Sequence, residues 1–167
     1  MTTKQYIDTL NLSGGPQFVE GQVLSGELTR LVQDFPAQGD SAIQWSLSAS
    51  IDHVNRRVLE VRAQGSVVLE CQRCMKPFVW PVDISNMVEV VTDEAQLEDD
   101  GDADGPDRIL CNGRLDALGL VEDELILSIP YVPMHDVCPD TLELSTGEPM
   151  PESRPSPFAV LGELKKS

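Results

Sequence analysis

The sequence predicts an α+β domain built on an antiparallel β-sheet, a meander, with a helix of the C-terminal half packed against it and short terminal helices. Two observations predict this fold. The centre of the chain alternates apolar and polar residues, and a segment near residue 120 repeats apolar residues every three to four positions. A chain of 167 residues is long enough for one such domain with its own core.

The chain is expected to divide into three parts. Residues 1–20 form an irregular N-terminal segment, because Ser13-Gly-Gly-Pro16 interrupts regular structure. Residues 21–138 form the single α+β domain, which contains an acidic, mobile loop at 92–107. Residues 139–167 form a polar linker that carries prolines, followed by a short C-terminal helix.

Three strands are predicted in the centre. The first runs from Ile43 to Asp52, where apolar and small polar residues alternate without a break. A turn at 53–57 leads into the second strand, from Val58 to about Glu70. The third begins at Phe78, and Pro81 marks it as an edge strand or a bulge, because proline cannot donate to a ladder.

Two helices flank these strands. A short one is expected after residue 24, with Ser25 as its cap and Pro36 as its end. A longer one is expected over Asp116–Ile129, where Asp116 caps and Glu122-Asp-Glu124 face solvent. The apolar stripe of the longer helix consists of Leu118, Val121, Leu125 and Ile129.

The charge is unevenly distributed along the chain. The net charge is −16, and residues 1–90 carry 7 Lys and Arg against 10 Asp and Glu, a net of −3. Residues 91–167 carry 5 against 18, a net of −13. The second half should therefore be repelled by nucleic-acid phosphates, so RNA would meet the first half or be reached through a basic protein partner.

Two short motifs carry candidate metal ligands. Cys71 and Cys74 form a CxxC between two strands, and His135 and Cys138 form an HxxC after the long helix. Zinc prefers four such ligands in a tetrahedron, so the pairs predict a zinc site if they meet in space. Cys111 is an alternative ligand if its loop folds back. The alternative without a metal is that Cys71 is a buried apolar residue and the other candidates are incidental.

The sequence gives little support to the interpretation that this protein is an enzyme. A thioredoxin-like CxxC lies at a helix N-terminus in a βαβ unit, whereas this one is flanked by strands. The chain has two histidines, His53 and His135, and lacks the GxSxG, HExxH and phosphate-binding glycine motifs. We therefore expect no enzyme and no catalytic residues.

One stretch concentrates basic side chains and is the candidate contact for RNA or a partner. Phe78 and Trp80 follow it, although their regular alternation places them in the core. Basic groups on a sheet can pair with RNA phosphates. The candidate contact residues are Arg56, Arg57, Arg62, Arg73 and Lys76.

These motifs together resemble a known family. VVLECQRCMKPFVWPV, then LGLVEDELILSIPYVPMHDVC, and finally SPFAVLGELKK closely resemble the YceD family over roughly residues 20–166. Its members are large ribosomal RNA subunit accumulation proteins. Some members are richer in cysteine after the helix and resemble a zinc ribbon there, whereas this chain offers only His135 and Cys138.

The resemblance implies a non-enzymatic factor in ribosome biogenesis that supports synthesis, processing or stability of 23S ribosomal RNA. Its expected partner is 23S rRNA or its precursor particle, met directly or through a basic ribosomal protein. The alternative is an acidic, chaperone-like module that binds a basic ribosomal protein without touching RNA. No apolar run is long enough for a bilayer and no signal peptide layout is present, so we expect a cytoplasmic protein without a membrane or small-molecule substrate.

Overall fold

The computed structural model describes residues 5–12, 15–97 and 105–139. Within these residues the chain forms seven strands, two α-helices and two single turns of 3₁₀ helix. The strands are β1 (Tyr6–Asp8), β2 (Gln17–Leu24), β3 (Ala42–Ile51), β4 (Arg57–Glu70), β5 (Pro77–Val91), β6 (Asp107–Leu110) and β7 (Arg114–Asp116). The helices are α1 (Thr29–Val32) and α2 (Ala117–Ser128), and the 3₁₀ turns are Ser25–Glu27 and Glu94–Gln96.

The predicted α+β fold is confirmed. Strands β2 to β5 form an antiparallel meander in chain order, and β6 adds to β5 in parallel. A separate two-stranded sheet pairs β1 with β7. Neither described helix is long and apolar enough to cross a lipid bilayer.

The core lies between one face of the five-stranded sheet and α2. Side chains of β3 alternate as the sequence predicts, so Ile43, Leu47 and Ala49 are fully buried while their neighbours face outward. From α2, Val121 and Leu125 are buried against that face. We call the buried side of the sheet the inner face and the opposite side the outer face.

Of the two predictions for Pro81, an edge or a bulge, the edge agrees with the structure, since no described strand pairs with β5 on that side of Pro81. The residue is registered with Ser66 of β4, and β6 pairs with β5 only from Val88 onward. The missing N–H of Pro81 therefore leaves the sheet ladder intact.

The N-terminal expectations were wrong. The segment over 1–20 contains β1 and the first half of β2, and the expected helix shrinks to a 3₁₀ turn and α1. Ser25 is no cap: its backbone N–H donates to Ser41, and its hydroxyl is buried without a partner among the described residues. Strand β2 is an edge strand whose exposure alternates along its length, but apolar Phe18 and Leu24 lie on its exposed side and Gly21 on its inner side, so the residue types do not show the alternation.

Other sequence predictions fall partly outside the described residues. Of the predicted acidic loop, positions 92–97 carry a 3₁₀ turn, Asp107 begins β6, and 98–104 are outside the description. The predicted C-terminal linker and helix also lie outside it beyond Pro139.

The second correction concerns two glutamates of α2. Asp116 caps the helix as predicted, since its carboxylate accepts the Gly119 N–H. Glu122 and Glu124, however, are buried rather than solvent-facing, at 9% and 8% exposure. Glu124 accepts a hydrogen bond of 2.8 Å from Asn86 of β5. Buried carboxylates need such partners, and local periodicity does not reveal them.

Glu122 joins α2 to α1. One carboxylate oxygen accepts the backbone N–H groups of Arg30 and Leu31, at 2.9 and 3.2 Å. The other accepts Arg30 Nε at 2.8 Å, and the same guanidinium reaches Asp123 and the Gly119 carbonyl. The carboxylate therefore caps a four-residue helix that has no side-chain cap of its own.

Replacing this carboxylate should destabilise the domain. We expect Glu122→Gln to lower the free energy of unfolding by about 1–3 kcal/mol, since an amide cannot satisfy all three donors. Asp123→Asn is the matched control, because Asp123 is half exposed and such pairs contribute about 0–1 kcal/mol. Urea denaturation measures both, and equal losses would contradict the capping role.

Gly65 is required by close contact between β3 and β4. A β-carbon placed there would lie 2.8 Å from the Ala42 carbonyl oxygen and 2.9 Å from Ile43 Cγ1. Because one of these atoms belongs to the backbone, relief would require the strands to separate.

We expect Gly65→Ala to lower the free energy of unfolding by about 1–3 kcal/mol, as overpacking does elsewhere. Gly39→Ala serves as the control, because a β-carbon there meets nothing within 4 Å. Thermal or urea denaturation of the two variants compares them directly. If both variants match the parent, the contact is looser than the structure indicates.

Candidate metal centre

The turn between β4 and β5 holds the first ligand pair. Its six residues, 71–76, close a tight loop in which Cys71 N–H donates to the Lys76 carbonyl and Met75 N–H to the Cys71 carbonyl, at 3.0 and 2.8 Å. Met75 adopts a left-handed backbone with φ of 57°. This loop, which we call the knuckle, holds the Cys71 and Cys74 side chains side by side.

The segment after α2 brings the second pair to the knuckle. Helix α2 ends before Pro130, and by Pro133 the chain has reached the knuckle. The Gln72 N–H donates to the Pro133 carbonyl at 2.9 Å, which ties this segment to the knuckle. His135 and Cys138 consequently lie over Cys71, with the His135 N–H 3.4 Å from the Cys71 sulfur.

Phe78 supports the imidazole of His135. The two rings lie 4.6 Å apart at 37°, and Phe78 in turn packs edge-on against Trp80 at 6.2 Å. Both aromatic residues are half-buried against the core, which agrees with the inward alternation that the sequence predicts. The contact of Phe78 with His135 restricts the orientation of this candidate ligand.

The four candidate ligands meet in space, as the zinc prediction requires. One ligand atom from each of Cys71, Cys74, His135 and Cys138 lies within 4.8 Å of all the others. The sulfurs of Cys71 and Cys138 are 3.8 Å apart, and the sulfur of Cys74 is 3.5 Å from His135 Nδ1.

These separations fit a tetrahedral metal. Bonds of about 2.3 Å to sulfur and 2.0–2.1 Å to nitrogen place two sulfurs about 3.8 Å apart and a sulfur and nitrogen about 3.6 Å apart. Three thiols and one imidazole form a donor set typical of structural zinc. The residues present therefore fit the metal that their spacing predicts.

The surroundings shift the pKa values of two thiols in opposite directions. Burial raises the pKa of the Cys71 thiol, but backbone N–H groups, first that of His135 and then those of Cys74 and Arg73, outweigh burial and bring it to about 5. Burial raises the pKa of Cys138 to about 11, and the sulfurs of Cys74 and Cys71 act in the same direction. A bound cation would favour the thiolate at both.

Cys111 does not join the cluster. Its sulfur accepts a hydrogen bond of 3.6 Å from the Thr9 hydroxyl, beside the pairing of β1 with β7. The knuckle also lacks the helix N-terminus that lowers the pKa of a thioredoxin-like CxxC. The geometry of Cys71, Cys74, His135 and Cys138 therefore fits a site that could hold a metal ion.

The five basic candidates do not form one patch. Arg56 and Arg57 lie at the β3–β4 turn, whereas Arg73 and Lys76 lie at the knuckle. The 14 residues of β4 separate the two ends by roughly 40 Å at about 3.3 Å per residue. Arg62 lies between them, on the outer face. Arg56 binds Asp52 and Arg62 binds Glu60, so each of these two guanidinium groups already meets a carboxylate.

Sequence reasoning missed Tyr131. Its side chain is fully exposed, at 101%, on the segment that carries His135 and Cys138. On the same segment Met134 accepts from Arg73 of the knuckle at 3.7 Å. The available signal was the position of an aromatic residue between Pro130 and Pro133, where the chain cannot continue the helix.

The geometry predicts metal binding in solution. Elemental analysis of untagged, reductant-purified protein should find about one divalent metal ion per chain, as expected for a four-ligand site. Cys71→Ser and Cys138→Ser should each lose it, because the two residues come from different segments. Cys111→Ser should keep it. A parent protein without metal, or loss in the Cys111 variant alone, would contradict the site.

Comparison with known proteins identifies the family. The family model described as large ribosomal RNA subunit accumulation protein YceD matches residues 59–165. The chain is also 32% identical over 151 residues to the large ribosomal RNA subunit accumulation protein YceD of Haemophilus influenzae, covering 87% of this chain and 86% of that protein. No solved structure matches it. The cysteine knuckle lies within the matched residues, and the chain belongs to the YceD family.

Proposed function

We propose that this protein is a non-enzymatic ribosome-biogenesis factor that supports the accumulation of 23S ribosomal RNA in the cytoplasm. One observation carries the proposal: similarity over 87% of the chain to a protein named for accumulation of the large-subunit ribosomal RNA. The protein would act by binding 23S rRNA or its precursor particle, directly or through a basic ribosomal protein.

The cysteine cluster would hold a structural zinc ion in this role. Cys71, Cys74, His135 and Cys138 supply a complete set of four ligands, which typifies a structural rather than a catalytic site. Bound zinc supplies a cross-link between the knuckle and the segment after α2. The hydrogen bond from Gln72 to Pro133 and the ring contact of Phe78 with His135 already hold these segments in place.

The knuckle end is the better of the two candidate RNA surfaces. There Arg73 contacts Met134, and the Tyr131 side chain is fully exposed. Lys76 belongs to the same turn. A cationic group can meet a phosphate, and an exposed ring can stack on an unpaired base. Arg56 at the opposite end is already bound to Asp52.

Loss of the protein should reduce 23S rRNA. In a host whose own copy is deleted, we expect the ratio of 23S to 16S rRNA to fall and the parent chain to restore it. The double variant Cys71→Ser/Cys138→Ser should fail to restore it, whereas Cys111→Ser should succeed. Northern analysis of total RNA measures the ratio. An unchanged ratio after deletion would refute the proposed function.

Direct RNA contact is tested with purified protein and single-stranded 23S fragments. Tyr131→Ala should weaken binding by about fivefold to a hundredfold, since stacking on one base contributes about 1–3 kcal/mol. Arg73→Glu should also weaken it and reduce its salt dependence. Phe18→Ala and Arg57→Glu are the matched controls, an exposed ring and a charge reversal away from the knuckle. Equal losses in controls and knuckle variants would exclude this surface.

The net charge of −16 favours a second candidate function, an acidic module for a basic ribosomal protein without RNA contact. Affinity capture with and without nuclease separates the two. Partners that persist after nuclease treatment are bound through protein, and partners that vanish were bridged by RNA.

A further inference from the structure

The outer face of the sheet is open. Both helices pack on the inner face, where Asn86 meets Glu124 and the apolar core is buried. Across the outer face runs a groove of about 880 Å³, lined by residues of four successive strands, β2 to β5. No other described residue covers it.

Strand register gives this groove an ordered polar lining. One row across the strands consists of Gln22, Gln44, Gln64 and Asp83. The next row consists of Glu20, Ser46, Arg62 and Ser85. At about 4.8 Å between strands, each row is roughly 14 Å long. The three glutamine amides have no hydrogen-bond partner among the described residues and can both donate and accept.

The charges of the groove favour a cationic ligand. Glu20 lies on β2 at one rim and Asp83 on β5 at the other, and neither forms an ion pair with any described residue. The one cation in the lining, Arg62, is bound to Glu60 of its own strand. A phosphate would therefore meet two uncompensated carboxylates, whereas a lysine or arginine would be attracted by both.

We propose that this groove binds an extended, lysine- or arginine-rich peptide segment of a partner protein. The segment crosses the strands, places basic side chains on Glu20 and Asp83, and forms hydrogen bonds through its backbone with the glutamine row. Glu20 and Asp83 lie three strands apart across the sheet and two residues apart along it. Their carboxylates are therefore separated by roughly 16 Å. An extended chain covers that distance with basic residues four or five positions apart, at about 3.3 Å per residue. The interaction requires neither the metal nor RNA.

The probe is a synthetic 12-residue Gly-Ser peptide with two arginines five positions apart, and its matched peptide has two glutamates instead. We expect the arginine peptide to shift the side-chain amide resonances of Gln22, Gln44 and Gln64 in ¹H–¹⁵N spectra, and the glutamate peptide to leave them unchanged. These amides report on the groove directly, even when binding is weak. Shifts confined to other residues, or none, would overturn the proposal.

Two double charge reversals, one inside the groove and one outside it, distinguish binding in the groove from non-specific attraction of a basic peptide to an acidic protein. Glu20→Lys/Asp83→Lys should weaken binding of the arginine peptide at least tenfold. Asp34→Lys/Asp40→Lys makes the same change in net charge at exposed sites beside α1 and should weaken it less than twofold. Equal weakening would overturn the proposal. So would equal shifts of the three amides by single-stranded RNA, which would make the groove a nucleic-acid site.

The 23S rRNA ratio after deletion of the protein is a separate readout, so this proposal and the proposed function can fail independently.

Discussion

The antiparallel pairing of β4 with β5 is the constraint on which the rest of the structure depends. It runs without interruption from Arg57 opposite Val90 to Glu70 opposite Pro77. Because the register is continuous, it fixes where the connecting turn closes, and so where Cys71 and Cys74 lie. It also fixes which side chains of β5 face inward, and Phe78 is therefore beside the knuckle on the inner side.

The candidate metal centre also depends on the helix that packs on this sheet. Val121 and Leu125 bury the apolar side of α2, while the buried carboxylates of Glu122 and Glu124 bind α1 and β5. These polar contacts set the helix in one rotation and one position, because a buried carboxylate without its partner is costly. The end of α2 is thereby fixed, and the chain after Pro130 is directed to the knuckle. A bound metal would link the sheet to the helix.

The two outward-facing surfaces differ in chemistry. The knuckle end combines Arg73 with an exposed tyrosine, a combination that suits unpaired bases and phosphates. The outer sheet face combines amides with carboxylates, a combination that suits cationic peptide. A factor that contacts both RNA and a basic protein on separate surfaces would bring these two components of a ribosomal particle together.

The sequence by itself determined the local features. Alternation predicted β3, β4 and β5 but neither β6 nor β7. The position of Pro81 on an edge followed from its missing donor, and Asp116 was recognisable as a cap. The spacing within CxxC and HxxC identified all four candidate ligands. Each of these features depends on residues only a few positions apart, so the pattern is visible in the chain.

Only the tertiary structure decided how distant segments meet. It brought His135 to Cys74 across 60 intervening residues, buried Glu122 and Glu124, and separated the basic residues to opposite ends of β4. It also paired β2 with β3, although the apolar and polar residue types of β2 do not follow the alternation of its exposure. The physical reason is that burial and coordination depend on partners supplied by packing, and no local periodicity encodes which partner will be near.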